Sequence, residues 1–434
     1  MENKILEKAK VFYFMVVAVL MYSFLNEYID IGLHVTYRHA FALVLVFSAA
    51  LMFLYKPDIV RGFTVFKEAF IFSTPLLVTT VVSLFIWFVN TVDIGVISRG
   101  ISTTYIYANM LSLALGTGAF LYIFGKNGIW YNLIAILIAN ILIIVKIISQ
   151  YGLVNFFSEF ITLITTFAGV TGDIIVQAEI HELAFCLGAY LIYMLYKPKK
   201  NIIYFILLSL SLFCFLTAFK RIAIIAILVA LALGYILKFI AHYNKKTASR
   251  LVIILTLLVV FLLIGYIALI KSDAFEVLEE AGINTSGRVE IYNAVDKFYD
   301  FSPGFLGNGI GFLTYQLNTF MKVGVASVHN DFLQHFIDLG FWGYIIWLIS
   351  MTLVRICYFG RHGNVENAII TFMLTIYLII VSSTDNTMNY PLLSGVLAIL
   401  MMGNSFSEDV VRCEHKIFGC NLTSDTKEES DLLL

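Results

Sequence analysis

Residues 271–343 read KSDAFEVLEEAGINTSGRVEIYNAVDKFYDFSPGFLGNGIGFLTYQLNTFMKVGVASVHNDFLQHFIDLGFWG, a polar interlude holding an isolated arginine, a glycine cluster and a His-Asn pair. Immediately before it stands LVIILTLLVVFLLIGYIALI (251–270), which carries no charge. A run of that length crosses the hydrocarbon core of a bilayer as a helix. The interlude is therefore where the chain leaves the membrane for long enough to do chemistry.

Composition agrees with this division. Of 434 residues, 60% are hydrophobic and 13% charged, against roughly 25% charged and 45–50% apolar in a soluble domain. A water-soluble core cannot absorb that excess, so it faces lipid. The net charge of −1, with Lys and Arg dispersed, gives no argument for nucleic acid. Val11–Leu25 is apolar with no small-residue cleavage site after it, and is expected to be the first transmembrane helix rather than a cleavable signal. The five Cys suggest no disulfides, and CEHKIFGC lacks zinc-ligand spacing.

Twelve apolar runs are expected to span, near 11–27, 38–55, 69–89, 101–124, 129–148, 175–196, 201–218, 221–241, 251–270, 341–359, 366–383 and 389–404. They show no ten-residue alternation, so helices and not a barrel satisfy the backbone in lipid. The fold class is thus an all-α polytopic membrane protein of about 12 transmembrane helices, with one long extracytoplasmic loop containing short helices. Basic residues set the orientation: 19 of the 28 Lys and Arg fall on one side, which makes that side and both termini cytoplasmic. The expected organisation is helices 1–9 over 1–271, an extracytoplasmic catalytic loop over 272–340, helices 10–12 over 341–404 and a cytoplasmic tail over 405–434. Residues 149–174 are apolar but broken by Gly and Ser, and fit an interfacial or re-entrant segment better than a span.

Within the loop, Asp273–Ala281 reads as a short acidic helix that Gly282 ends. Ser286 can cap a second helix from Gly287 to Asp300, on which Arg288, Tyr292, Val295 and Tyr299 share one face. Arg288 then sits in a first turn, where unpaired N–H groups and the positive dipole end favour an anion. The glycines of SPGFLGNGIG turn the chain back. Asn330 caps a helix from Asp331 to Leu339, which puts His329 just outside it near the membrane surface. A histidine there is either a packing residue or a base. His335 does not pair with it for a metal, because i and i+6 lie on different faces.

Other groups break the membrane pattern. Lys220 and Arg221 lie in a loop of a few residues between apolar runs on the non-cytoplasmic side. They either snorkel to headgroup phosphates or grip a lipid-linked phosphate with the planar guanidinium fork. Glu179, His181 and Glu182 sit in the outer half of the sixth run, where helix packing and catalysis are both open readings. Asp385, in SSTDNTMNYP, has a turn role and a site role equally open.

Four segments in order carry a resemblance: FLTAFKRIAIIAILVALALG (215–234), TSGRVEIYNAV (285–295), SPGFLGNGIGF (302–312) and HNDFLQHFIDLGFWGY (329–344). Over about 213–345 the chain resembles the O-antigen polymerase and ligase superfamily, which includes Wzy-type polysaccharide polymerases and WaaL-type ligases. The resemblance implies a glycosyltransferase at the outer face of the bacterial cytoplasmic membrane. It would move a glycan from undecaprenyl diphosphate to an acceptor hydroxyl, with no metal and no nucleotide sugar. By motif position it implies that Arg221 and Arg288 bind the diphosphate and that His329 is catalytic. Lys220, Asn330, Glu179, His181 and Asp385 are candidates for supporting roles. Two departures stand out: Lys220 precedes the first arginine where the family commonly has Ser, and Glu179–Glu182 occupy a segment that often carries Asn.

The chemistry suits those residue types. Charge grows on a phosphate oxygen as the lipid diphosphate leaves, and each well-placed arginine contributes about a few kcal/mol there. A neutral imidazole taking the hydroxyl proton contributes about 10²–10⁴-fold in rate. The expected function is polymerase of a surface polysaccharide, O-antigen or capsular, acting on a lipid-linked acceptor repeat unit. An O-antigen ligase acting on lipid A-core is the alternative within the class, and a lipid-linked oligosaccharide flippase the alternative outside it. Expected partners are the undecaprenyl-diphosphate-linked oligosaccharide, membrane lipid, a flippase and a chain-length regulator, with no nucleic acid.

Overall fold

The computed structural model describes residues 9, 13, 37–55, 57–90, 92–166, 181–218, 220–272, 274–281, 288–319, 328–360, 364–387 and 390–418. Every regular element among them is helical. In chain order they are α1 (Tyr37–Tyr55), α2 (Ile59–Phe72), α3 (Thr74–Val89), α4 (Ile94–Phe124), α5 (Gly128–Tyr151), α6 (Leu153–Thr166) and α7 (His181–Tyr196). Next come α8 (Ile202–Ala218), α9 (Arg221–Tyr243), α10 (Lys245–Lys271), α11 (Ala274–Glu280) and α12 (Arg288–Val295). The last five are α13 (Phe312–Thr319), α14 (Asp331–Ile349), α15 (Arg355–Phe359), α16 (Val365–Ser382) and α17 (Pro391–Phe418).

Among the described residues, five helical stretches are long and apolar enough to cross a membrane: Ala114–Tyr151, Arg221–Tyr243, Lys245–Lys271, Asp331–Phe359 and Val365–Ser382. The bent pair α2 and α3 makes a sixth if counted as one span. Shorter apolar helices include Val44–Tyr55, Glu182–Tyr196, Ile202–Ala218 and Leu392–Ser405. Large apolar side chains such as Phe205, Leu228, Phe239, Phe261 and Leu262 are exposed along these helices. Such a surface is stable only against lipid. The chain is a multi-pass membrane protein.

Several expected boundaries shift for identifiable reasons. The run at 69–89 is broken at Ser73, where α2 and α3 meet at 53°. Pro75 in the first turn of α3 supplies the break, because it lacks the N–H that a continuous helix needs. The run expected from 101 starts at Ile94, and a 3₁₀ turn at Gly125–Asn127 links it directly to α5. The last helix continues to Phe418, beyond the expected end at 404. The helix expected over 287–300 is α12 plus a 3₁₀ turn at Asp296–Phe298. Residues 153–166 of the broken apolar segment form the short helix α6. The caps expected at Gly282 and Ser286, and nearly all of the run at 11–27, lie outside the described residues.

The chain forms two compact units, each assembled from distant stretches. One holds residues 1–69, 112–227 and 392–434; the other holds 70–111 and 228–391. In the first, α7 packs on α5 and α8, and Tyr190 Oη donates to Asn132 Oδ1 at 2.7 Å and lies 3.0 Å from the Ile129 carbonyl. Lys197 Nζ donates to Asn404 Oδ1 at 2.8 Å, and Ser405 Oγ to the buried Glu68 carboxylate at 3.0 Å.

In the second unit α16 is buried along almost its whole length and packs on α10, while α14 packs on α3. The segment Phe305–Ile310 fixes the middle of α14. The Gly309 N–H donates to the Asp338 carbonyl at 2.7 Å, that of Asn308 to Ile337 at 3.2 Å and that of Phe341 back to Phe305 at 2.9 Å. Two glycines allow this approach. A Cβ on Gly307 would stand 2.4 Å from the Gly340 nitrogen, and one on Gly340 would stand 2.2 Å from the Leu306 carbonyl carbon. Both have positive φ, 88° and 71°. Gly340 interrupts the helical dihedrals of α14, at the point where the sequence placed the end of a helix at Leu339. Farther along the segment, the Ile310 N–H donates to Ser83 Oγ of α3 at 3.1 Å.

Candidate active site

Lys271 closes α10 and anchors the chain beyond it. Its Nζ donates to Asp296 Oδ1 at 2.7 Å and to the carbonyls of Asp296 and Tyr299 at 2.9 and 3.1 Å. The end of α12 is thereby tied to the end of α10. The short helix α11 braces the same element: Asn293 Nδ2 donates to Glu276 Oε1, and the Phe275 ring lies 5.3 Å from that of Tyr292. Tyr292, Val295 and Tyr299 are buried, as the shared face in the sequence requires.

Arg288 is the first residue of α12 and is half-buried. Its Nη2 donates to the Thr384 carbonyl at 2.9 Å, in the turn after α16. That turn is where the expected residues meet. Asn330, fully buried, caps α14 through Oδ1, which accepts from the N–H groups of Phe332 and Leu333 at 3.1 Å each. Its Nδ2 donates to the hydroxyls of Tyr266 and Tyr292 at 2.9 and 3.0 Å. Tyr266 Oη in turn donates to the Ser383 carbonyl at 3.3 Å. With four bonds made, the Asn330 amide is occupied in holding α14, α10 and α12 together.

His329 precedes this cap and is exposed. Its φ of 51° is the one left-handed value among the described non-glycine residues. That conformation costs about 1–3 kcal/mol and persists where surroundings impose it. His329 Nδ1 stands 3.4 Å from Asn386 Nδ2. Asp331, buried in the first turn of α14, accepts from Thr387 Oγ1 at 3.4 Å, and Thr387 Oγ1 lies 2.5 Å from Ser382 Oγ. Asp385 Oδ1 accepts from the Asn386 N–H at 2.8 Å and from Tyr390 Oη at 3.0 Å. Both of these bonds to Asp385 come from residues within five positions of it.

The structure brings Arg288, His329, Asn330 and Asp385 together around residues 382–387 of the second unit. Lys220 and Arg221 belong to the first unit, where the Lys220 carbonyl accepts from Ala223 and Ile224 at 3.0 and 3.2 Å. Arg221 is therefore the exposed first residue of α9, the same helical position that Arg288 holds in α12. Glu182 Oε1 accepts from the Leu392 N–H at 2.5 Å near the start of α17, one of the N–H groups that a helix start leaves without an intrahelical partner. Glu179 lies outside the described residues; His181 opens α7. His335 is buried, with Nδ1 2.7 Å from the Asp331 carbonyl and its ring stacked 4.1 Å from Trp347, a packed residue.

Residues that the sequence left unmarked complete the cluster: Tyr266, Asp331, Thr384, Asn386 and Thr387. Asn386 and Thr387 adjoin Asp385 in sequence, so a signal existed for them. Tyr266 had none, being one tyrosine in an apolar helix.

An arginine at a helix start beside a half-open polar turn can hold an anion, and an exposed imidazole next to it can move a proton. Residues 205–348 match the family described as O-Antigen ligase. The O-Antigen ligase match includes Arg221, Arg288, His329 and Asn330, encloses the four resembling motifs and stops before the turn at 382–387. It supports the O-antigen polymerase and ligase superfamily, and with it a polymerase- or ligase-type function. No curated protein matches the chain.

Proposed function

We propose that the protein is a polymerase of a surface polysaccharide. It transfers a glycan from undecaprenyl diphosphate to a hydroxyl of a lipid-linked acceptor repeat unit at the outer face of the cytoplasmic membrane, without a metal. The observation that carries this reading is the meeting of Arg288 and His329 on one turn, through Thr384 and Asn386. In this reading Arg288 neutralises the diphosphate as its bridging oxygen takes up charge, and His329 removes the acceptor proton; Arg221 stays a diphosphate-binding candidate by its motif position. Asn330 acts by fixing the backbone that presents His329. The chain spans about twelve times with both termini cytoplasmic, and works with a flippase and a chain-length regulator.

The description of the matched family favours a second reading, transfer to lipid A-core by a ligase. Deleting the gene and resolving surface glycan on a gel separates the two. Loss of the long ladder with single repeat units retained identifies a polymerase. Loss of all attached glycan identifies a ligase, and accumulation of intracellular lipid-linked units a flippase.

A further inference from the structure

The amide of Asn386 is the side chain that faces Nδ1 of His329, at 3.4 Å, from a turn held by Asp385 and by the Ser382–Thr387 hydroxyl pair. Asn386 itself is 8% exposed, whereas His329 is exposed, so the buried amide has one fixed seat beside a ring that reaches outward. With Nδ2 toward the ring, the amide donates to the Nδ1 lone pair and the imidazole carries its proton on Nε2. A half-turn of the amide presents Oδ1 instead, which accepts Nδ1–H and leaves the Nε2 lone pair outward. A base that has taken a proton is an imidazolium with both nitrogens protonated, and its Nδ1–H then needs an acceptor. Oδ1 of Asn386 supplies one at the observed position.

We propose that Asn386 is the positioning residue of His329, setting through its amide which imidazole nitrogen carries the proton and sheltering Nδ1–H once the ring is charged. The role in turnover rests on the reading of His329 as the base; the contact between the two residues does not. Neither Asn386 nor its turn falls within the matched segment 205–348. The other charged groups on this turn and the elements packed against it are Arg288, Asp331 and Asp385, with the hydroxyls of Tyr266, Tyr292 and Tyr390. All of them stay in place in Asn386→Leu and Asn386→Asp.

The test is proton titration of His329 by long-range nitrogen–proton NMR on the full-length protein in nanodiscs, with its resonances identified by their loss in His329→Gln. Asn386→Leu removes the acceptor, and Asn386→Asp, nearly isosteric, supplies a stronger one. The expected order of the His329 titration midpoint is Leu lowest, Asn intermediate, Asp highest. The acid limb of the activity profile, measured on lipid-linked glycan extracted from a strain lacking the gene, is expected to move in the same order. Asn386→Leu is expected to lower kcat about 10-fold with KM little changed, part of the 10²–10⁴-fold a base supplies. Equal midpoints in wild type and Asn386→Leu overturn the proposal, as does an unshifted midpoint in a folded Asn386→Asp. An ordered midpoint alongside an active His329→Asn variant keeps the positioning role and sinks the base reading instead.

Discussion

Arg355 and Arg288, both in the second unit, donate to backbone carbonyls in opposite settings. Arg355 is 7% exposed; its Nε and Nη2 both reach the Phe72 carbonyl, at 3.1 and 2.5 Å, and its guanidinium lies 4.1 Å from the Phe72 ring centre. Phe72 ends α2 just before the bend at Ser73, so its carbonyl is one that a helix end leaves without an intrahelical partner. Arg288 is half-buried at the start of α12 and binds Thr384 through Nη2. A guanidinium sealed over a helix end is a joint. One that is half-buried at a helix start, on the turn that also meets His329, keeps part of its surface open to solvent. Sequence alone singled out Arg288 as a site candidate and left Arg355 unmarked.

Variants can break or sharpen this contrast. The largest effect is expected at the histidine that shares the Arg288 turn: His329→Asn tolerates the left-handed backbone and should lower activity about 10²–10⁴-fold. Membrane protein level should stay normal, read as loss of the glycan ladder at equal abundance. Arg288→Lys keeps the charge and loses the fork; a fall of about 10²-fold is expected in the same assay. Full activity there would erase the distinction between the two arginines. Arg355→Met should do the reverse, lowering stability by about 1–3 kcal/mol because the Phe72 carbonyl is left unsatisfied. Thermal unfolding in detergent measures that loss, while activity per folded molecule stays near wild type. The smallest effect is expected in the first unit, where Glu182→Gln weakens the cap on α17 and costs about 1 kcal/mol of stability without touching turnover.

Local signals in the sequence carried most of the helical skeleton. Ile202–Ala218 and Val365–Ser382 fall within one residue of the runs read from hydropathy, and Asn330 caps α14 as its position before Asp331 implied. The break at Ser73 also had a local signal, Pro75, that an apolar run outweighed. The candidate site was legible in Arg288 and His329, because charge and imidazole are conspicuous among apolar runs. It was not legible in its supports. Tyr266 meets Asn330 across 64 positions and Asn386 meets His329 across 57, and neither contact leaves a pattern along the chain. Lys271 illustrates the same limit, since a charge at the end of an apolar run proved to be a clamp on Asp296 and Tyr299.

The bond from the Ile310 N–H to Ser83 Oγ spans 227 positions. During synthesis, α3 enters the bilayer long before the segment that will rest on it has been made. The second unit is therefore not completed in the order in which it is translated, and its early helices must wait for the loop to arrive. A nascent chain stopped before Gly307 would hold α3 with no Ile310 N–H for its Ser83 hydroxyl to receive.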